Sequence, residues 1–206
     1  MRRIAGVSAK LLEVARKEFL EKGYEGANIR EIAAKAETSS RAVYTRFANK
    51  EALFGAIVEP VAAAILQIHA DAQRSYWQQA MEHPGTFPTD NTTEYLDIIA
   101  YAYEHYEETL LLLTKSKGTR YDNFLEELVA VDITNREDMI DRLDLLEFQQ
   151  EQIQALRLFT KNLTVHFFRH LFDPIIHGMS HEVAVVYTNY MVKFYEAGVE
   201  RLFILE

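Results

Sequence analysis

The residues best suited to do chemistry in this chain lie in one short segment, residues 39–50. With Val43 and Phe47 facing a core, helical spacing puts Arg41 and Thr45 on the opposite face. An arginine on such a face can bond to the O6 and N7 atoms of guanine, and a hydroxyl group can bond to several bases. This pattern predicts a helix that contacts base edges in a major groove.

Neighbouring side chains extend the predicted surface. Ser40 can bond to either type of base, and the methyl group of Ala42 can contact the methyl group of thymine. Tyr44 and Lys50 suit phosphate oxygens instead, and Lys50 stands at a helix start, where backbone N–H groups also favour an anion. The predicted partner of this segment is therefore double-stranded DNA.

Two short helices joined by a tight turn are expected to hold these side chains. Asn28 can cap the first helix, and Ser39 can cap the second, which spans residues 40–47. Asn49 can cap a further helix that begins at Lys50. These proportions are typical of a helix-turn-helix, whose second helix enters the major groove.

The rest of the chain is also predicted to be helical. A first helix starts after Ser8 as its cap and ends at Gly23, and Pro60 is expected to interrupt the fourth helix near Glu59. Further helices are predicted at 61–81, from a capping box at Asn91 and Glu94 to about Lys117, from Thr119 onward, at 149–177 and at 181–203. With 8 glycines and 4 prolines, the chain has few of the turns that a β-sheet protein needs. The predicted fold class is all-α, with an N-terminal helix-turn-helix three-helix domain and a larger C-terminal helical domain.

The distribution of charge divides the chain in two. Its net charge is −9, but residues 1–57 hold eleven basic and seven acidic residues, which leaves +4 there and −13 in the remainder. This asymmetry favours a nucleic-acid-binding domain at residues 1–57 and a domain with another role at residues 58–206. The alternative is a charged, solvated helix surface.

Composition excludes several classes of function. The chain has no cysteine, so any metal site would need histidine and carboxylate ligands. No stretch approaches the roughly 20 uncharged apolar residues that span a bilayer, and the N-terminus is too short for a signal peptide, so we expect no membrane partner and a cytoplasmic location. There is no glycine-rich phosphate loop or nucleophile elbow. We therefore predict no catalytic residues and no cofactor.

A set of residues spread over the first helices carries a family resemblance. The set is Phe19, Glu21-Lys22-Gly23-Tyr24, Ile29-Arg30-Glu31-Ile32-Ala33, Ala36, Ser39, Val43-Tyr44, Phe47, Asn49-Lys50-Glu51 and Leu53. It resembles the N-terminal domain of the TetR family of bacterial transcriptional repressors over roughly the first 55 residues. The resemblance implies phosphate contacts near Asn28 and Arg30, a recognition helix in third place, and a backbone clamp by Tyr44 and Lys50. The predicted DNA-binding residues are together Asn28, Arg30, Ser39, Ser40, Arg41, Tyr44, Thr45, Arg46 and Lys50.

Two positions depart from the pattern of that family. The family usually has Ala-Gly-Val-Ser in the turn, whereas this chain has Ala-Glu-Thr-Ser at residues 36–39. Because glycine there serves a left-handed conformation, either Glu37 carries about 1 kcal/mol of strain or the turn differs slightly from that of the family. It also places a negative charge near DNA. Arg41 stands where the family commonly has a small residue, which would sharpen the preference for particular bases.

The resemblance also implies a homodimer formed by the last two long helices of each subunit, at about 153–177 and 181–203. Independently, these helices carry more apolar surface than one small body easily covers. The alternative is that they fill the core of a monomer. The predicted interface residues are Phe167, Leu171, Tyr187, Tyr190 and Phe194.

A pocket for a small-molecule effector is expected among the helices between Val61 and Arg142, where aromatic side chains with polar tips cluster. The predicted pocket residues are Trp77, Tyr103 and Tyr106. The alternative is that these side chains belong to the core. The acidic body favours cationic or neutral effectors over anions.

These inferences predict a ligand-responsive DNA-binding transcriptional regulator, a repressor and not an enzyme, which binds a palindromic operator as a dimer and is released by its effector. A second hypothesis is a metal-dependent all-α enzyme that uses His166 and His170, one helical turn apart, with Asp173 just beyond. No third ligand is fixed by the sequence, so no metal is predicted. A third hypothesis is a helical interaction module that does not bind DNA, motivated by Glu37.

Overall fold

The computed structural model describes residues 2–82, 92–142 and 149–203. These residues form α-helices and one 3₁₀ turn without any β-strand, which confirms the all-α prediction. The helices are α1 (Arg2–Gly26), α2 (Ile29–Lys35), α3 (Ser40–Arg46), α4 (Lys50–Glu82), α5 (Thr92–Glu104), α6 (Tyr106–Thr114), α7 (Phe124–Arg142), α8 (Gln150–Leu171), α9 (Asp173–Ile176) and α10 (His181–Phe203), with the 3₁₀ turn at Arg120–Asn123.

The chain folds into two compact units, each built from two stretches of sequence. The first unit comprises Met1–Ala64 and Glu104–Phe124, and the second comprises Ile65–Tyr103 and Leu125–Glu206. The first unit thus contains the N-terminal helices together with α6 and the 3₁₀ turn. The domain boundary predicted at residue 57 stays a prediction, because α4 contributes to both units.

The predicted helix caps of the first unit are present. The side chain of Asn28 accepts a hydrogen bond from the backbone N–H of Arg30 at 2.8 Å, and Ser39 accepts one from Ala42 at 3.1 Å. Asn49 accepts one from Ala52 at 2.7 Å. Each of these bonds satisfies a backbone donor that the first turn of a helix leaves unpaired, so the three helix starts are fixed locally by their own sequence.

Aromatic side chains form the centre of the first unit. Phe19 and Phe54 are fully buried, and their rings pack edge to face with centroids 5.1 Å apart. Leu11, Ile32 and Val43 are buried as well, so α1, α2 and α3 each contribute an apolar face. This packing supplies the stability that helices of seven residues lack on their own.

The stretch Glu104–Phe124 packs against α1 and α4. Arg16 of α1 donates to Glu108 of α6 at 2.5 Å, and the hydroxyl group of Tyr121 donates to Glu59 of α4. Gly55 makes room for that ring, since a Cβ atom there would lie 2.7 Å from the Tyr121 hydroxyl oxygen. This stretch is therefore part of the core of the first unit.

The start and end of α1 differ from the prediction. The helix begins at Arg2, so Ser8 is an interior residue and not a cap. No proline precedes Ser8, and each residue added to a nucleated helix gains one hydrogen bond. Gly23 does interrupt the helix, with φ 71°, and a further helical turn reaches Gly26.

Pro60 does not end the fourth helix, contrary to the prediction; α4 continues through it from Lys50 to Glu82. Proline removes one backbone donor, but Ala56, four residues earlier, lies on the exposed side, where water can bond to its carbonyl group. Burial of Val58 and Val61 on the other side offsets the cost.

The composition of α4 also corrects the expectation that nothing in the chain could span a bilayer. Residues 50–76 are long and apolar enough to do so by length and composition alone, and half of the most apolar stretch is buried inside the protein. A core helix of a folded domain has the same composition.

Two other predicted helices are broken. The helix expected from Asn91 to Lys117 splits at His105 into α5 and α6, and Asn91 lies outside the described residues. The helix expected at 149–177 ends at Leu171, because Pro174 cannot donate the hydrogen bond that would continue it and instead starts α9. The helix predicted at 181–203 is confirmed as α10.

Candidate nucleic-acid interface

A buried carboxylate joins α2 to α1. Glu18 is 1% exposed and forms ion pairs with Lys22 at 2.7 Å and Lys35 of α2 at 2.5 Å. Hydrogen bonds from Lys22 and then Lys35 lower the pKa of Glu18 below its ordinary value, so the carboxylate stays charged. Lys22 also pairs with Glu31 of α2 at 2.5 Å. The ion pairs fix α2 on α1 and thereby position the helix that follows.

The turn between α2 and α3 contains the predicted left-handed residue. Glu37 has φ 55°, which confirms the left-handed conformation expected at this position; the strain that such a conformation costs a residue with a Cβ atom stays a prediction. The amide groups of Glu37 and Thr38 donate to the carbonyl groups of Ala34 and Ala33 at 3.1 and 2.9 Å, as in a helix C-cap. The side chain of Glu37 pairs with Lys10 at 2.9 Å, but both groups are exposed, so the pair adds little stability.

The exposed face of α3 holds the residues predicted to contact bases. Val43 is 1% exposed, whereas Arg41, Thr45 and Arg46 are exposed and Tyr44 is 52% exposed. The hydroxyl group of Thr45 donates to the carbonyl of Arg41 at 2.9 Å. Arg46 donates to the carbonyl of Ala42 at 3.1 Å. This side of α3 is therefore polar and accessible, as a helix entering a major groove requires.

The positive charges of the first unit fall into two groups. Most basic side chains between residues 10 and 35 form ion pairs within the unit: Lys10, Arg16, Lys17, Lys22 and Lys35. The guanidinium groups of Arg30 and Arg41 have no ion-pair or hydrogen-bond partner in the described part of the chain. Uncompensated positive charge thus lies on the helix-turn-helix, where Asn28, Ser39 and Ser40 are also exposed or half-buried.

Lys50 has a structural role that sequence reasoning missed. Its ammonium group donates to the carbonyl groups of Tyr24, Glu25 and Ala27 at 2.7, 3.2 and 3.2 Å, and lies 4.5 Å from the centre of the Tyr24 ring. These carbonyls lie at the C-terminal end of α1, where a cation is favourable. Because Tyr24, Glu25 and Ala27 are more than 20 positions away in the sequence, no local pattern around Lys50 indicated these contacts.

The predicted interface residues divide by exposure. Phe167 and Leu171 are 6% and 0% exposed within the second unit, so they are core residues and not part of its free surface. Tyr187 is half-buried, and Tyr190 and Phe194 are 71% and 74% exposed. Further exposed apolar side chains lie on α8 and α10. We call this set the apolar stripe: Leu158, Phe159, Val183, Val186, Tyr190 and Phe194.

The predicted effector residues are not brought together in one unit. Tyr103 belongs to the second unit, where its hydroxyl group donates to the carbonyl of Met179 at 3.0 Å and its ring lies 5.1 Å from that of His181. Tyr106 belongs to the first unit. The side chain of Trp77 lies outside the described residues.

Sequence reasoning also missed the polar interior of the second unit. His69 of α4 is fully buried, and its Nδ1 atom contacts Oε1 of Glu94. Gln73 also bonds to Glu94, and burial raises the pKa of that carboxyl group above its ordinary value. Asp132 of α7 accepts a hydrogen bond from Thr164 at 3.0 Å. Helical spacing of His69 with the apolar residues of α4 was the only signal for this burial.

The histidine pair considered as a metal site is exposed. The rings of His166 and His170 stack with centroids 6.2 Å apart, and Nδ1 of His170 lies 2.8 Å from Oδ2 of Asp173. Within the described ranges, no group of three or more histidine, aspartate and glutamate side chains is arranged to hold a metal ion.

Comparisons with known proteins identify a family profile and curated relatives that match part of the chain. The sequence profile described as "Bacterial regulatory proteins, tetR family" matches residues 11–57. An HTH-type transcriptional repressor of Mycobacterium tuberculosis is 28% identical over 80 residues, which are 38% of this chain and 43% of that protein. The HTH-type transcriptional repressor AcnR of Corynebacterium diphtheriae is 37% identical over 62 residues, which are 30% and 33% of the two chains. The chain thus spans less than half the length of these curated relatives.

A solved structure resembles almost the whole chain. A TetR-like transcriptional regulator from a Rhodococcus species superposes with a TM-score of 0.51 over 93% of this chain and 96% of that one, at 18% sequence identity. At this identity the likeness concerns the fold alone. The resemblance recognised in the first 55 residues is confirmed by the profile match at residues 11–57.

Proposed function

We propose, from the membership of its N-terminal domain in the tetR family of bacterial regulatory proteins, that this chain is a transcriptional repressor which binds a palindromic operator as a homodimer and leaves it when a small molecule binds. The observation that carries the proposal is the exposed polar face of α3, held by capped helices and flanked by the uncompensated guanidinium groups of Arg30 and Arg41. A repressor rather than an activator is favoured by the names of the two relatives. Such a protein acts in the cytoplasm.

Base contacts and phosphate contacts are assigned to different residues. Arg41 and Thr45, with Ser40, would contact base edges, because these side chains lie on the accessible side of α3. Arg30 and Tyr44 would contact phosphate oxygens and fix the register of the protein on the duplex. The carbonyl contacts of Lys50 favour a supporting role, in which it stabilises the end of α1.

The apolar stripe supports dimerisation. It places Tyr190 and Phe194, both more than 70% exposed, on one helix with Val183 and Val186 at spacings of three and four residues. A solvent-facing patch of this kind is unfavourable in a monomer and is typical of a helix–helix interface. In a dimer the two copies of α3 would need a spacing of about 34–36 Å to occupy successive major grooves.

The proposed release mechanism uses α4. Because this helix contributes residues to both compact units, a ligand that prefers one arrangement of α4 can shift the population of dimers away from the spacing that fits DNA. The effector need only bind the two arrangements with different affinity.

Selection of random duplex DNA by the purified protein tests this function. We expect enrichment of a palindrome with half-sites about one helical turn apart. Arg41→Ala should broaden the preference at one or two positions of each half-site, since a bidentate contact with guanine contributes about 1–3 kcal/mol of discrimination. Arg74→Ala removes an exposed arginine of the second unit and should leave the selected sequence unchanged. If no DNA is retained even at low salt, the hypothesis of a helical interaction module replaces that of a repressor.

A further inference from the structure

The interior of the second unit contains a hydrogen-bonded pair of titratable side chains, His69 of α4 and Glu94 of α5. His69 is 0% exposed and Glu94 is 7% exposed. While Nδ1 of His69 contacts Glu94, the Nε2 atom of the same ring is buried and has no hydrogen-bond partner in the described part of the protein. A buried polar atom without a partner is destabilising and unusual in a folded protein. Its position therefore requires an explanation.

The possible protonation states of the pair show whether Nε2 of His69 is a hydrogen-bond donor or an acceptor. An imidazolium beside a carboxylate and a neutral imidazole beside a carboxylic acid differ only by a shift of one proton along the Nδ1–Oε1 bond. In both forms Nε2 carries a hydrogen atom. The two other forms, a neutral imidazole beside a carboxylate and an imidazolium beside a carboxylic acid, each bury an uncompensated charge. Burial raises the pKa of Glu94, which further disfavours the form with a carboxylate. Nε2 is thus a donor that lacks an acceptor among the described residues.

The surroundings of His69 restrict the chemistry of that acceptor. The Phe168 ring packs edge to face on His69, with ring centroids 5.0 Å apart. The rings of Tyr95 and Phe167 lie in the same aromatic cluster, with their centroids 4.5 Å apart. Asp132 is 4% exposed and near enough to raise the pKa of Glu94. Its negative charge disfavours an anionic acceptor beside the pair. The surroundings favour an apolar molecule with a neutral oxygen.

We propose that Nε2 of His69 is the donor that binds the small-molecule effector, and that the effector is an uncharged, largely apolar molecule carrying a carbonyl or hydroxyl oxygen. Its role as an effector rests on the proposed function, whereas its binding does not. His69 lies on the same helix as Lys50 of the first unit, so a ligand at this site acts on the helix that joins the two units.

Binding of defined probes to the full-length protein tests the proposal. The probes are alkyl phenyl ketones and alkylphenols, with benzoates and benzylamines of matched size. In protein labelled with ¹⁵N at histidine, the ketones and phenols should shift the Nε2–H resonance of His69 in a saturable manner and raise the melting temperature. Equal binding of the benzoates or benzylamines overturns the assigned class. Failure of every neutral probe, or neutral binding without a shift of His69, overturns the site.

A pair of variants separates the site from a general effect on folding. Exchange of His69→Leu together with Glu94→Met replaces the buried pair by apolar residues of similar size, which proteins often tolerate. Ketone binding should weaken at least tenfold in this variant. His177→Leu alters an exposed histidine and should leave ketone binding unchanged. Should the double variant not fold, the resonance of His69 in the unaltered protein still decides. DNA retention by the unaltered protein without probes reports on the proposed function alone.

Discussion

Replacement of Lys50 by methionine distinguishes a structural role from a phosphate contact. Methionine keeps the length of the side chain but removes three hydrogen bonds from a charged donor, at 2.7, 3.2 and 3.2 Å, to the end of α1. Hydrogen bonds that involve a charged group contribute about 1.5–3 kcal/mol, and Lys50 is half-buried, so we expect Lys50→Met to lower the free energy of unfolding by about 2 kcal/mol. In a chain of this length that corresponds to a melting temperature about 4–8 °C lower.

The assay combines urea unfolding with DNA binding at several salt concentrations. Each phosphate contact contributes about 0.9 to the slope of log K against log salt concentration. Because the ammonium group of Lys50 donates its hydrogen bonds to carbonyl oxygens, Lys50→Met should lower the free energy of unfolding. The slope of log K against log salt concentration should stay the same. Lys17→Met is the matched control, since Lys17 is exposed and pairs with Glu13 on its own helix. Because exposed ion pairs contribute little, its effect on stability should be much smaller than that of Lys50→Met.

The opposite outcome would refute this reasoning. If Lys50→Met were as stable as Lys17→Met and the slope fell by about 0.9, the lysine would be a phosphate contact, as the resemblance first implied. The carbonyl contacts would then exist only in the absence of DNA.

Three further changes test other features. Glu37→Gly should stabilise the protein by up to about 0.5 kcal/mol, because it removes about 1 kcal/mol of left-handed strain while the extra backbone freedom of glycine stabilises the unfolded chain by at least about 0.5 kcal/mol; a lower unfolding midpoint in urea would contradict the strain. Since burial raises the pKa of Glu94 above its ordinary 4.5, the folded protein keeps a proton there that the unfolded chain releases, so this contribution is full below pH 4.5 and is lost as the pH rises through the folded pKa. Glu94→Gln should abolish this decrease of stability with rising pH. If the unfolding free energies of the two proteins depend on pH in the same way, the raised pKa of Glu94 is contradicted. Exchange of Tyr190→Asp with Phe194→Asp should convert dimers to monomers in sedimentation experiments, whereas Tyr44→Asp should not; dimers in both variants would place the interface elsewhere.

Local features of the N-terminal region could be predicted because each has a cause a few residues away. The caps at Asn28 and Ser39 depend on a side chain and a backbone group two or three residues apart. The left-handed turn at Glu37 follows from a fixed position in a short motif. The exposed face of α3 could likewise be predicted, because helical spacing places it opposite Val43, which is buried.

Features that depend on distant partners could not be predicted. The continuation of α4 through Pro60 depends on the burial of Val58 and Val61, which the sequence around the proline does not reveal. Glu94 was expected to cap its own helix, but its carboxyl group contacts His69, which lies 25 positions away. Phe167 and Leu171 are apolar, as residues of a dimer interface often are. Only the folded structure shows that other residues of the same subunit bury their side chains.

The discontinuous first unit has a consequence for biosynthesis. Its helices α1 to α3 leave the ribosome well before Glu104–Phe124, the stretch that supplies Glu108 to Arg16 and the Tyr121 ring to Gly55. At translation rates of about 5–20 residues per second, roughly 4–16 seconds pass between the synthesis of Arg46, the last residue of α3, and that of Phe124. During that interval the N-terminal helices lack part of their core, so apolar surface that is later buried stays accessible to chaperones. A fragment that stops at residue 57 should remain in this incomplete state.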